Sequence, residues 1–186
     1  MKRGSVIIIS GPSGVGKGTV IRQLLERHPQ FELSVSVTTR APRQGEVDGR
    51  EYHFVSRDEF LRQVDNNNFL EWCEVHGNLY GTYRSEVERR IQSGQDIILE
   101  IDTQGAQKVR TQIPGAITIF IAPPSPEELL KRLKQRNTEN HADLGIRLTQ
   151  AEKELNLSEA YDQVVVNNDV DATVQDIVNY IHHKKE

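Results

Sequence analysis

At 186 residues, with 36% hydrophobic and 27% charged residues, the chain has the size and composition of one globular domain with a sizeable core. A formal net charge of −4 argues against broad binding to nucleic acid or anionic membranes. The single cysteine, Cys73, excludes an intrachain disulfide and a Cys-rich metal site, and suits a reducing compartment.

The N-terminal segment MKRGSVIIIS begins as a signal peptide does. Its apolar run, residues 6–9, is short and leads straight into a glycine-rich turn, so it reads as the first core strand. No run approaches the length needed to span a bilayer, and a cytoplasmic location is expected. Residues 11–19, GPSGVGKGT, follow the strand and match G-x-x-x-x-G-K. Such a loop points successive backbone N–H groups at a polyphosphate, and the following helix adds its positive N-terminal end. Gly11, Gly14 and Gly16 let the backbone come close, with Pro12, Ser13 and Val15 between them, and Lys17 supplies a point charge for the terminal phosphates. The next position, where a Ser or Thr hydroxyl ordinarily faces Mg²⁺, holds Gly18, with Thr19 one place later.

Further along, apolar β-branched runs recur at 97–101, 117–121 and 164–166, nearly continuous as in parallel strands covered on both faces. Between them, Ser56-Arg57-Asp58-Glu59, Ser85-Glu86-Val87-Glu88 and Ser125-Pro126-Glu127-Glu128 read as capping boxes, and Gly94 as a helix stop. Strand alternating with helix implies an α/β fold with a parallel sheet. Two stretches break the alternation. Residues 36–84, rich in Arg, Tyr, Gly and Glu, with short strands at 52–55 and 69–75, suggest a small mixed-sheet insertion. The polar segment RNTENHADLGIR at 136–147 separates two helical patterns as a lid does. The expected organisation is one domain, with core 1–35, 85–134 and 148–186, insertion 36–84 and lid 135–147. Ligands of open α/β sheets bind at the carboxyl ends of the strands, where these segments are expected to meet.

The run Ser36-Val37-Thr38-Thr39-Arg40-Ala41-Pro42-Arg43, then Gly45-Glu46, Gly49 and Tyr52-His53-Phe54, narrows the class. With these residues the chain resembles the guanylate kinase family, which moves a phosphoryl group from ATP to GMP; the resemblance extends over residues 10–169. It implies a P-loop kinase fold and roles for matching residues. Arg40 and Arg43, with Tyr52 and Tyr80, hold the GMP phosphate; guanidinium forks suit that task as lysine does not. Ser36, Glu71 and Asp102 read guanine, and Gly81 and Thr82 belong to the same GMP-binding set. A carboxylate suits the N1–H and N2 donors of guanine, and adenine does not present that donor pair. Glu71 lies in Phe69-Leu70-Glu71-Trp72, a charge in an otherwise apolar strand; read by itself it is equally the polar face of that strand.

The resemblance also implies that Arg132, Arg136 and Arg147 reach the ATP phosphates and that the segment Val165-Val166-Asn167-Asn168-Asp169 lies near adenine, with Asn168 as a substitution in it. Lys17, Arg40, Arg136 and Arg147 are the expected charge-stabilising set. Where the family usually has Asp-x-Asp, this chain has Glu100 and Asp102. With Gly18 in the loop, Mg²⁺ is expected to be held mainly by ATP phosphates and water, with Glu100, Asp102 and Thr19 acting through water. Gly18-Thr19 resembles the loop ending of adenylate kinases, and Asn137 and His141-Ala142-Asp143 depart from the usual lid wording. ATP, GMP and dGMP are the expected small-molecule partners, with no nucleic acid or membrane, and a homodimer is left open. Two other classes fit part of the sequence: a non-catalytic guanylate kinase-like module that binds phosphopeptides, and a related P-loop kinase acting on a sugar phosphate. The intact glycines and Lys17 count against the first; Ser36, Glu71 and Asp102 count against the second.

Overall fold

Near-continuous apolar runs and capped helices settle the order of elements. The computed structural model describes residues 3–75, 77–136 and 141–186, without the side chains at 135, 136, 141–144, 146 and 147. The chain runs β1 (Val6–Ser10), α1 (Lys17–Arg27), β2 (Phe31–Leu33), β3 (Val37–Thr38), β4 (His53–Phe54), α2 (Arg57–Asp65), β5 (Phe69–Val75), β6 (Asn78–Tyr83) and α3 (Arg84–Gln92). It continues with β7 (Asp96–Glu100), α4 (Thr103–Gln112), β8 (Ile117–Ala122), α5 (Pro126–Arg136), α6 (His141–Leu155), a 3₁₀ turn (Ser158–Ala160), β9 (Gln163–Val166) and α7 (Val170–Lys185). The strands form a parallel sheet in the order β2-β7-β1-β8-β9 and a mixed sheet in the order β4-β3-β6-β5. The expected α/β architecture, a parallel sheet with helices and a second mixed sheet, is what the chain adopts. None of the described helices is long and apolar enough to cross a membrane.

The chain divides into two compact units. One is made of Ile7–Gln30, Glu100–Thr103 and Ile117–Glu186. Here β8 pairs in parallel with β1 (Ile9 with Ile119) and with β9 (Ile121 with Val165). All five residues of β1 are buried, so alternation is absent from its sequence. Helices α1 and α7 pack together through Val20, Ile21 and Leu24 on one and Val174, Ile177, Val178 and Ile181 on the other. That spacing of three and four residues is the helical apolar stripe, and each such side chain contributes about 1.5–3 kcal/mol on burial. Asp169 caps α7 by accepting from the Ala172 N–H at 2.9 Å, and the helix ends in His182, His183, Lys184 and Lys185, where cations suit the dipole.

The other unit comprises Phe31–Leu99 and Gln104–Ala116, with the N-terminal end up to Val6. β5 and β6 form an antiparallel hairpin, and β3 lies between β6 and β4. Val37, Phe60, Phe69 and Leu79 form the core under the mixed sheet, with the Phe60 and Phe69 rings stacked at 4.4 Å.

Two of the three capping boxes form their serine half: the Ser56 hydroxyl accepts from the Glu59 N–H at 3.1 Å, and Ser125 from the Glu128 N–H at 3.2 Å, while the Glu59 and Glu128 carboxylates accept from Gln63 and Arg132 on their own helices. The third does not. Helix α3 begins at Arg84 with Tyr83 at the cap position, which leaves Ser85 inside the helix, and Glu86 instead accepts from the Val35 N–H. Gly94 ends α3 as expected: it has φ +86°, its N–H bonds to Ile91 and the next N–H bonds to Arg90. Ser56→Ala is therefore expected to cost about 1 kcal/mol in urea unfolding. Ser85→Ala should stay within about 0.5 kcal/mol, and equal losses for the two would contradict the assignment.

Candidate functional site

The loop of residues 11–16 leaves β1 and delivers the chain into α1. Gly16 caps α1 with φ +97°, a left-handed turn that a β-carbon opposes, and a β-carbon at Gly11 would stand 2.3 Å from the Ile121 carbonyl oxygen. These glycines turn the loop sharply against β8. Gly18 is different: nothing lies within 4 Å of a β-carbon there, so packing does not require it. Lys17 folds back over the loop, its ammonium donating to the carbonyls of Gly11 and Pro12. Ser13 and Thr19 are exposed, and Gly14 and Val15 are buried.

One carbonyl in this loop is held from two directions. Val15 accepts from Arg132 Nη1 at 3.1 Å and from Asn167 Nδ2 at 2.8 Å. Arg132 also donates to the Asn167 carbonyl at 3.2 Å and to Glu128 at 3.3 Å. A carbonyl fixed toward the protein turns its peptide plane and leaves the loop amides to an anion. Asn167 is buried, and its Oδ1 lies 3.3 Å from the Thr173 hydroxyl; the sequence marked Asn168, which is exposed. A polar residue placed directly after an apolar strand was the available sign of Asn167. The Ser10 hydroxyl donates to the Ile101 carbonyl at 2.8 Å, so the segment bearing Glu100 and Asp102 lies alongside the end of β1. Arg136 is the last residue of α5 and Arg147 lies in α6; their side chains, and Asn137 with the rest of 137–140, fall outside the described residues. His141 opens α6, so residues 141–147, read as lid, are helical.

The other unit gathers Arg40, Tyr52 and Tyr80. Thr38 and Thr39 explain how the loop after β3 is fixed. The Thr38 hydroxyl accepts from the Arg40 N–H at 3.1 Å, and that of Thr39 from the Leu79 N–H at 2.9 Å. The Arg40 guanidinium grips Glu46 with both nitrogens, at 3.0 and 2.9 Å, and lies 5.3 Å from the Tyr52 ring centre. The rings of Tyr52 and Tyr80 meet edge-on at 6.1 Å, and Glu46 first, with Tyr80 adding to it, raises the Arg40 guanidinium above its ordinary value. Arg43 is exposed, and its backbone N–H donates to Glu46 at 2.7 Å. Ser36 is half-buried at the entrance to β3, its carbonyl accepting from the His53 N–H. Glu46 was not singled out as a site residue. Its hydrogen bond from Arg40, then that from the Arg43 amide, holds its carboxyl below the ordinary value of 4.5.

Glu71 is buried in β5 and accepts from the Thr82 hydroxyl at 2.7 Å. Between Phe69 and Glu71 the register with β6 shifts: Phe69 opposes Tyr83 and Glu71 opposes Thr82. Such a bulge re-aims the side chains around it, which lets a carboxylate point inward from an apolar strand. Gly81 lies under the Phe69 and Phe60 rings, which a β-carbon there would meet at 3.0 and 3.1 Å, closer than ordinary van der Waals contact. In the same strand Trp72 packs against the core under the mixed sheet, and Cys73 is a buried free thiol. Among the described residues, no three His, Cys, Asp or Glu side chains gather closely enough to hold a metal ion.

Because Glu46 has a depressed folded value, the Arg40 pair contributes stability above about pH 4.5, and that contribution is lost as the pH falls through the lower folded value. The unfolding free energy of Glu46→Gln should therefore lie below that of the parent at neutral pH and converge on it in acid. Curves parallel at all pH values would contradict the pairing. Asn167→Ala leaves the buried Val15 carbonyl one donor short and should cost about 1–3 kcal/mol in urea unfolding, with Asn168→Ala near neutral.

A family model described as guanylate kinase matches residues 3–184. The chain is similar to the guanylate kinase of Synechococcus sp. (strain JA-3-3Ab), at 46% identity over 94% of this chain and 81% of that one. It is also similar to the guanylate kinase of Caldanaerobacter subterraneus subsp. tengcongensis, at 47% identity over 95% of this chain and 85% of that one. Among solved structures, that of guanylate kinase from Anaplasma phagocytophilum superposes with a TM-score of 0.82 at 37% identity, over 99% of this chain and 87% of that one.

Proposed function

The chain belongs to the guanylate kinase family, and on that premise we propose that it moves the γ-phosphoryl group of ATP to GMP, giving ADP and GDP. It is an ATP-dependent nucleoside monophosphate kinase. The observation that carries this reading is the pairing of two separate anion-recognising constructions, an intact phosphate loop and an arginine–tyrosine cluster, in one chain. A donor polyphosphate and an acceptor phosphate each need one. The phosphopeptide-binding and sugar-phosphate readings are not favoured by these guanylate kinase relatives.

In the reaction, a GMP phosphate oxygen attacks the γ-phosphorus in line, the bond from that phosphorus to the β-phosphate oxygen breaks, and ADP leaves. The acceptor is already an anion, so no strong general base is required and no covalent intermediate forms. The work of the protein is positioning and neutralisation of charge. We assign the donor phosphates to the amides of Gly11, Ser13, Gly14, Val15, Gly16, Gly18 and Thr19 and to the ammonium of Lys17, with Pro12, which has no N–H to donate, shaping the turn. Arg132 keeps its hold on the Val15 carbonyl, and Arg136 and Arg147 bring charge to the transferring group, with Asn168 near adenine. Lys17 exchanges the Gly11 and Pro12 carbonyls for phosphate oxygens. The acceptor phosphate takes Arg40, Arg43, Tyr52 and Tyr80, and guanine takes Ser36, Glu71, Thr82 and Asp102, with Gly81 shaping the strand. dGMP, which differs only in the sugar, is an acceptor as well.

The donor set near the loop suits Mg²⁺ that arrives on ATP. Glu100 and Asp102 offer hard oxygen donors beside β1, and Mg²⁺ sheds water reluctantly, so these carboxylates and Thr19 would hold it through its water shell. Held there, it would supply positive charge against the donor phosphates. Segment 135–147 acts as a lid and 36–84 as the acceptor-binding insertion of a single kinase domain working in the cytoplasm.

A coupled ADP-release assay with Mg-ATP and GMP, dGMP, AMP, CMP and UMP tests the reading. Turnover is expected with GMP and dGMP only. ADP release without preference for a guanine acceptor, or no release with any acceptor, would contradict it. In the same assay Lys17→Ala should lower kcat by about 10²–10³ or more with GMP binding intact. Arg43→Ala should raise the KM for GMP, and an unchanged value removes Arg43 from the acceptor site.

A further inference from the structure

Beneath the acceptor strand, helix α4 is tied to β5 at three points. Gln112 Nε2 donates to the Leu70 carbonyl at 2.7 Å, and Lys108 Nζ donates to the Trp72 carbonyl and lies 5.3 Å from the Trp72 ring centre. At the first turn, a β-carbon on Gly105 would stand 2.6 Å from Glu71 Oε2 and 3.2 Å from its Cδ. Residues 105, 108 and 112 lie three and four apart, so they form one stripe of the helix. Leu70 is the residue at the register shift, and its carbonyl is satisfied by Gln112. The bulge that aims Glu71 is thereby fixed to the C-terminal end of the helix whose N-terminal end receives the carboxylate.

From this we infer that Gly105 is a specificity-determining positioning residue: the missing side chain is the space that holds the Glu71 carboxylate in the place where it reads the acceptor base. The inference rests on the assignment of Glu71 to guanine. Three observations carry it. The carboxylate is fixed on its other side by the Thr82 hydroxyl at 2.7 Å, so it has one defined place. Gln112 and Lys108 prevent α4 from withdrawing, so a methyl group at 105 must move the carboxylate rather than the helix. Helix propensity alone favours alanine over glycine within α4, so the backbone does not ask for glycine, and no positive φ requires it. What remains is the close approach of the carboxylate to the helix. That approach also brings the negative charge to the positive end of α4, where the first-turn amides lack helical acceptors.

The base reading follows. Guanine offers Glu71 two donors, N1–H and the N2 amino group; hypoxanthine offers N1–H alone. A carboxylate at its proper place distinguishes GMP from IMP through the second bond. One pushed away from Gly105 loses the alignment with both donors, and the penalty falls more heavily on GMP.

The test compares parent and Gly105→Ala with GMP and IMP as acceptors at saturating Mg-ATP, and repeats the comparison with Glu71→Asp, whose carboxylate is withdrawn by one methylene. Gly105→Ala is expected to lower kcat/KM for GMP at least tenfold and the GMP-to-IMP preference at least threefold, with the KM for ATP unchanged within twofold. Added to Glu71→Asp, the same alanine should cost less than twofold. An unchanged GMP-to-IMP preference, or an equal loss in both backgrounds, overturns the inference. Should Gly105→Ala alone not fold, its combination with Glu71→Asp must fold; a combination that is also unfolded overturns the inference, because the carboxylate is then not what the methyl group meets. Turnover of GMP by the parent in the same assay separates these outcomes from failure of the functional reading itself.

Discussion

The carbonyl of Val15 is the point on which the loop proposed to bind the donor depends. A phosphate loop works only if its amides face the ligand, and an isolated glycine-rich turn has no reason to hold that orientation. Arg132 from α5 and Asn167 from the end of β9 both donate to this one oxygen, so two elements far apart in sequence fix one peptide plane. Glycine supplies the conformational freedom at Gly16, and the two donors then remove it. A pre-oriented ring of amides reorganises little as charge builds on the transferring phosphoryl group, which is the condition for electrostatic catalysis.

The acceptor half follows the same logic with charged side chains in place of amides. Arg40 is a flexible residue, but Glu46, the Tyr52 ring and Tyr80 leave its guanidinium little freedom. Its fork is thus ordered before a phosphate arrives, and part of the ordering entropy of binding is spent on folding. Glu71 is ordered likewise by Thr82, by the bulge in β5 and by the first turn of α4. In both halves the groups proposed to meet a ligand are held by groups that have no such role.

Much of this was legible in the sequence, for physical reasons that differ by element. β1, β7 and β8 are buried on both faces and so read as unbroken apolar runs. The loop of residues 11–19 was legible because its chemistry needs fixed residue types at fixed spacing, and the Arg40 to Tyr52 segment for the same reason. β2 was missed because three residues with one fully buried carry no periodicity. α4 was missed because Ala106 and Val109 are its buried apolar residues, while Gly105, Lys108 and Gln112 hold it through polar and close-approach contacts that no hydropathy pattern records. Ser85 misled because a capping box and a helical first turn share the same residues, and Tyr83 begins the turn two places earlier. Asn167 and Glu46 stand in the sequence patterns, but their roles were not legible there because their partners, Val15 and Arg40, are identified only once the chain is folded.

All of these arrangements position and neutralise charge, and none supplies a nucleophile between the two nucleotides. Direct transfer in a single displacement is therefore the central claim. Its most direct measurement is the stereochemical course with ATP made chiral at the γ-phosphorus by oxygen isotopes and GMP as acceptor. Inversion of configuration in the GDP formed is the expected result. Retention would require two displacements through a phosphorylated side chain and would contradict the account.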